Sequence, residues 1–293
     1  MSTVDMDALL RRLHLANARR IWKSLCARAE AEEWTYQQLL ETLISEEIAH
    51  RKGTRLGRVV RRAGFPFLKT IDDFDFTFQS TLRLSMLGSY LSADFVTDGR
   101  NLVLVGKSGR GKTHLAIALA YRAIQNGFEA RFVTAAALID TLARASHDGN
   151  LREALVEWLH PHVLVIDEMG YLAYGTDAAN LLFHVVNERH LKRRSMVFTT
   201  NKALNSWGNV LHDPDLGDAI VDRILERGAV LRMDGPSVRS RHVNPSDLEG
   251  PDRVPSEPAI ISGTDRPSFP EPTSSSADLG EAEFGERSSK ARI

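Results

Sequence analysis

One cysteine among 293 residues, Cys26, leaves no partner for an internal disulfide, so a disulfide-stapled scaffold is excluded. Cys26 lies in a helix-like stretch and reads as a packing residue rather than a reactive thiol. No apolar run approaches the roughly 18 residues of a membrane-spanning helix, and the N-terminus lacks the apolar core of a signal peptide. A soluble, cytoplasmic protein without membrane partners is expected. Strong net charge is also missing, at only −1, but this average hides an asymmetry. Residues 1–70 hold 13 Lys/Arg against 8 Asp/Glu, whereas residues 243–293 hold 5 against 10, so the front is basic and the tail acidic. What is present, 43% hydrophobic and 26% charged residues, suits one or two globular domains with a full core.

The most specific stretch is Gly106-Lys107-Ser108-Gly109-Arg110-Gly111-Lys112-Thr113, which fits the phosphate-loop pattern G-x-x-x-x-G-K-[ST]. The apolar run Leu102–Val105 precedes it and a helix-like run from Thr113 to Arg122 follows, which is the context such a loop requires. Glycines let the backbone wrap a polyphosphate closely with its N–H groups turned inward, while the helix directs its positive end at the anion. Lys112 is placed to reach the β- and γ-phosphates of ATP, and Thr113 to ligate Mg²⁺.

Downstream, His162–Ile166 is a continuous apolar run of the kind found in buried parallel strands, and it leads into Asp167-Glu168. Asp167 is the candidate Mg²⁺ partner, and Glu168 the candidate general base that polarises water for attack on the γ-phosphate. A third run, Met196–Thr200, ends at Asn201, which either orients the attacking water or simply belongs to a Thr-Asn-Lys turn. Arg223 lies among apolar positions of a predicted helix: it is a surface residue, a partner for Asp222, or an arginine finger reaching a neighbouring subunit's site. Arg239 and Arg241 form a last cationic pair, able to sense bound nucleotide in cis.

The organisation around these motifs has three parts: a helical front at 1–70, a P-loop domain at 71–242, and a tail at 243–293. In the front, Tyr36, Leu39, Leu40, Leu43, Ile44 and Ile48 recur at helical spacing behind a Thr35/Gln38 capping box. Arg51, Arg55, Arg58 and Arg62 follow at intervals of four, three and four, with Lys52 alongside, and form one cationic stripe if helical. That stripe is either a solvated face or a phosphate-backbone contact for DNA, since stacked like charges repel unless an external polyanion compensates. Phe74 and Phe76 lie in a connector and either cover an adenine ring or staple the connector to the core. Strands are expected at Leu102–Val105, Ala130–Val133, Val163–Ile166, Met196–Thr200 and Ala229–Met233, alternating with helices, which is the pattern of a parallel five-stranded sheet covered on both faces. The ligand is then expected at the strands' carboxyl ends. The tail holds 7 of the 11 prolines and 9 serines and is expected to be disordered.

Taken together, Leu102–Ala116, Val165–Tyr171, Thr199-Thr200-Asn201-Lys202 with Trp207-Gly208, and Ile220-Val221-Asp222-Arg223 closely resemble the IstB-like ATPases. These are helper proteins of bacterial insertion sequences, related to the DnaC helicase loaders in the AAA+ superfamily. The resemblance spans roughly residues 6–242 and implies an α/β P-loop AAA+ core without a large helical lid, fused to a small N-terminal helical domain. It further implies a Mg²⁺-dependent ATPase that oligomerises on duplex DNA and recruits or activates a transposase of the IstA-like kind. By motif, it puts Asn201 as first sensor, Arg223 as trans-acting finger and Arg239 as second sensor. Lys107 and Arg110 depart from it, because the loop more often carries proline or small residues there. The alternatives are a DnaC-like helicase loader, whose front grips a helicase, and a nucleotide-gated scaffold with little turnover, against which the intact Asp167-Glu168 pair argues.

Overall fold

Five β-rich runs separated by helical periods assemble into one all-parallel sheet in the order β2-β3-β4-β1-β5. The strands are β1 (Asn101–Val105), β2 (Ala130–Thr134), β3 (Val163–Met169), β4 (Ser195–Thr200) and β5 (Gly228–Arg232). The computed structural model describes residues 5–78, 82–171 and 174–235. Arg239, Arg241 and the predicted tail lie outside the described residues.

The two-residue period of the strands sorts their side chains into two cores. Leu102, Leu104, Val163, Val165 and Val197 point to one face, where α3 (Tyr36–Ala63), α4 (Leu84–Leu91), α5 (Asp94–Thr97) and α6 (Lys112–Gln125) contribute the covering residues. Val103, Leu164, Ile166, Met196 and Phe198 point to the other, covered by α7 (Ala135–His147), α8 (Leu151–Leu159), α9 (Ala178–Leu191), α10 (Trp207–Leu211) and α11 (Pro214–Glu226). The expected sheet, covered on both faces, is therefore present. At the amino ends of the strands the fully buried Arg189 of α9 gathers the carbonyls of Trp158, Pro161, His162 and Ser195 at 2.7–3.2 Å, tying the starts of β3 and β4 together.

The front is helical: α1 (Met6–Arg12), α2 (Ala16–Ala31) and the 28-residue α3. The Thr35/Gln38 capping box opens α3, and Gly64, at φ +72°, closes it in the left-handed conformation that glycine tolerates best. Buried Glu47 joins α3 to α2 by accepting the N–H groups of Asn17 and Ala18 at 2.9 and 2.8 Å, which are orphan donors at the start of α2. Among the described residues nothing covers the expected apolar face of α3, however. Tyr36, Leu40, Ile44 and Ile48 are 47–90% exposed, and Leu39 and Leu43 are only half-buried. The C-terminal part of α3 packs on β2 and α6.

Candidate nucleotide-binding site

The loop Gly106–Gly111 leaves β1, between β4 and the edge strand β5, and enters α6, with Gly109 at φ +77° and Gly111 at φ +82°. Gly106 is hemmed in by the residue just after β5: a Cβ there would lie 2.5 Å from the Met233 carbonyl oxygen, so only glycine fits. The first turn of α6 leaves its N–H groups without helical acceptors and presents the positive end of the helix to the loop. Lys112, buried at 6% exposure, folds back so that its Nζ donates to the carbonyls of Gly106 (2.7 Å) and Lys107 (2.9 Å). An ammonium held over the loop in this way is placed to exchange those carbonyls for phosphate oxygens.

Alternation along β3 puts Asp167 on the same face as Val163 and Val165, the face that α6 covers. There the Thr113 hydroxyl donates to both carboxylate oxygens of Asp167 at 3.0 and 3.1 Å. Thr199 of β4, 1% exposed, donates to Asp167 Oδ1 from the neighbouring strand. The same Thr199 oxygen accepts the N–H of Glu168 at 3.0 Å. One hydroxyl thus ties the two acids together.

The acids differ from expectation in one respect. They do not follow the strand but lie inside it, at a register shift between Ile166 and Met169 where β3 pairs with β4. Glu168 takes φ +60°, unusual for a residue with a side chain, and this turns it out into solvent while its flanks stay buried. Asp167 therefore faces the loop from within the core, and Glu168 stands exposed.

Asn201 follows β4 directly, and the carbonyl of its neighbour Thr200 accepts the Gly106 N–H at 3.1 Å, so Asn201 joins the loop and the acids at the carboxyl edge. The connector also reaches this edge. Phe74 is buried against Gly111, whose Cβ would meet the ring at 3.0 Å, and it stacks edge-on with Phe76 and His114. The stapling role is realised. His114 Nε2 donates to the Thr70 carbonyl at 3.1 Å, and burial lowers the imidazole's pKa, so the ring is held neutral.

Arg223 lies elsewhere. It sits in the last turn of α11, just ahead of β5, whose first residue pairs with the first residue of β1, whereas the loop follows the last residue of β1. Its guanidinium bonds Asn187 Oδ1 at 2.9 Å and the Ala219 carbonyl at 3.1 Å, and stacks over Phe183. Arg223 and its own loop are at opposite ends of β1, a five-residue strand about 15 Å long. The expected cationic stripe does lie on one helix, and Lys52, Arg55, Arg58 and Arg62 are exposed on it. Arg51 differs from the rest of the stripe in that its guanidinium, though still exposed, bonds Glu47 at 2.8 Å and the His14 carbonyl at 2.6 Å and so also ties the front together.

Thr199 was not singled out from the sequence. A polar residue on the Val197 face of a wholly buried strand was the available signal, since such a hydroxyl needs a partner. The donor set suits Mg²⁺: a hydroxyl and a single carboxylate offer hard oxygens, and no group of three or more His, Cys, Asp or Glu gathers among the described residues to form an all-protein cage. Nor is any helix among them long and apolar enough to cross a membrane.

Comparison with known proteins agrees with this geometry. The family model for IstB-like ATP binding protein matches residues 8–246. The ATP-binding protein of insertion sequence IS5376 from Geobacillus stearothermophilus is 33% identical over 230 residues, covering 78% of this chain and 91% of that protein. That of insertion sequence IS21 from Pseudomonas aeruginosa is 32% identical over 235 residues, covering 80% and 88%. Among solved structures, the DnaC helicase loader is 26% identical, with a TM-score of 0.45 over 56% of this chain and 96% of that one.

Proposed function

The chain belongs to the IstB-like ATP-binding proteins, and on that premise we propose that it is a helper ATPase of DNA transposition, which assembles on duplex DNA in its ATP-bound form and recruits or activates a transposase. Two features support the reading. The carboxyl edge of the sheet brings together a phosphate loop, a metal-binding oxygen pair and an exposed acid, and the cations Lys52, Arg55, Arg58 and Arg62 stand on one helix with no ion pair among the described residues. The second observation carries the DNA assignment, because the repulsion of an unpaired row is relieved by a polyanion.

In this reading Lys112 moves from the loop carbonyls to the β- and γ-phosphates. Thr113 and Asp167 hold Mg²⁺, which when bound neutralises charge developing on the phosphate oxygens. Glu168, facing solvent, accepts a proton from the attacking water, and Asn201 orients that water. Arg223 cannot reach its own loop across the sheet, so it serves the γ-phosphate of an adjacent subunit. Arg239, outside the described residues, keeps its assignment as second sensor.

The test is steady-state ATP turnover without DNA, with single strands and with duplex, at two salt concentrations, with Lys112→Ala as the blank. Salt-sensitive stimulation by duplex is expected. A response to single strands alone, or to no DNA, favours the second reading, a helicase loader. The exposed row Tyr36, Leu40, Ile44 and Ile48 speaks for that reading, since it suits a protein partner.

A further inference from the structure

The amino edge of the sheet, opposite the phosphate loop, carries a groove that the nucleotide chemistry does not use. It is lined by Thr97 of α5, Val156 of α8 and the following His160, together with Lys192, Arg193 and Arg194, the turn between α9 and β4. A second groove adjoins it, sharing Val156 and His160 as a common wall, and leads past Arg131 to Val59 and Arg62 of α3. Arg62 lies on the same helical face as Arg58 and Arg55, four and seven residues earlier. The two grooves therefore join the α9–β4 turn to the cationic stripe.

The charge along this track is unbalanced. Of its acids, Glu157 is matched by Arg131, while Glu129 lies 3.4 Å from the His160 imidazole, which carries charge only when protonated. Lys192 pairs with Glu188 at 3.0 Å. Arg193 and Arg194 have no ion pair among the described residues, and neither has Arg62. The turn itself is held in an unusual shape. Arg193 adopts φ +49°, and its backbone is pressed against Gly99, where a Cβ would lie 2.6 Å from the Arg193 carbonyl oxygen. A left-handed arginine is costly, and here a glycine opposite makes room for it. The result is two adjacent guanidinium groups on a fixed turn at the mouth of a groove.

We propose that this amino-edge groove binds the sugar-phosphate backbone of duplex DNA, with Arg193 and Arg194 as phosphate contacts and Arg62 continuing the track onto α3. The inference rests on the duplex-binding reading above and adds a site to it. Duplex is favoured over single strands because neither groove is lined by Phe, Tyr or Trp, so bases would find no aromatic stacking platform. The location also separates the ligands, with ATP at one end of the strands and DNA at the other. α9 joins them to the finger: it ends at the basic turn, and its His190 ring contacts the Arg223 carbonyl at 3.2 Å.

The experiment is duplex binding by the full chain, measured by fluorescence anisotropy from about 50 to 200 mM salt, with basal ATP turnover measured alongside. Arg193→Gln with Arg194→Gln is expected to lower the slope of log affinity against log salt by about 2 and to weaken binding about 10- to 100-fold. Turnover without DNA should stay within about twofold, and Arg193→Lys with Arg194→Lys should restore the slope, because a phosphate contact needs the charge. An unchanged slope in the glutamine pair, when Arg55→Gln with Arg58→Gln lowers it, overturns the groove and leaves the duplex reading intact. A parent chain that shows no salt-dependent duplex binding overturns both. Failure of the lysine pair to recover binding assigns the arginines to structure and overturns the groove as well.

Discussion

Replacing Thr199 with valine removes one hydroxyl from the centre of the nucleotide site while keeping the β-branched shape that β4 buries. Two bonds are lost: the donation to Asp167 and the acceptance of the Glu168 N–H at 3.0 Å. A hydrogen bond to a charged group contributes about 1.5–3 kcal/mol, and a buried N–H left without a partner costs about 1–3 kcal/mol. Allowing for relaxation, a loss of about 2–4 kcal/mol is expected, against a typical domain stability of about 5–15 kcal/mol, so the variant still folds. The larger effect concerns Glu168. Its φ of +60° is held in part by the bond to Thr199, and release lets the backbone move away from a conformation that costs about 1–3 kcal/mol. A displacement on the order of 1 Å at a reacting group slows chemistry up to about 100-fold. We expect kcat to fall about 10- to 100-fold while ATP affinity, set by the loop and Lys112, changes less than about threefold. Thr199→Ser retains the hydroxyl and should recover most of the turnover. The assay is steady-state hydrolysis beside equilibrium binding of a fluorescent ATP analogue. If Thr199→Val turns over within twofold of the parent, or loses affinity in step with kcat, then Thr199 does not position the acids.

Three other outcomes follow from the same geometry. Glu168→Gln should bind ATP but turn over about 100-fold more slowly, leaving a long-lived ATP-bound species on size-exclusion chromatography; undiminished turnover removes Glu168 from the chemistry. Arg223→Ala should lose turnover that returns on mixing with Lys112→Ala subunits, because finger and loop then come from different chains; absence of rescue at any mixing ratio refutes the trans role. For Glu47, burial alone would raise the carboxyl's pKa, but the Ala18 N–H, the Arg51 guanidinium and the Asn17 N–H outweigh it and hold it below the ordinary glutamate value. Its contribution is therefore complete above the unfolded value of about 4.3 and disappears as pH falls through the lower folded value. Glu47→Gln should destabilise the front at pH 7 by about 1–3 kcal/mol and flatten the acid side of the stability profile; an unaltered acid limb in circular dichroism melts would exclude this linkage.

Much of the molecule was decided by short-range patterns that can be read along the chain. The phosphate loop is contiguous, so its glycines, Lys112 and Thr113 declare themselves by spacing alone. The five strands start and stop within three residues of the expected bounds, because each is a run of apolar or β-branched residues between turns or helices. The capping box places the start of α3 through an i,i+3 pairing that is local by nature. Tertiary structure decided whatever depends on partners distant in sequence. Thr199 meets the acids across 31 and 32 residues, and Arg51 finds the His14 carbonyl across 37. The helical period of α3 announced an apolar face but could not say that nothing described would cover it. The two-residue period of β3 put Asp167 toward α6, yet it would have turned Glu168 into the opposite core. A bulge and a left-handed backbone exposed it instead, and those arise from how β3 and β4 pair, not from either strand by itself.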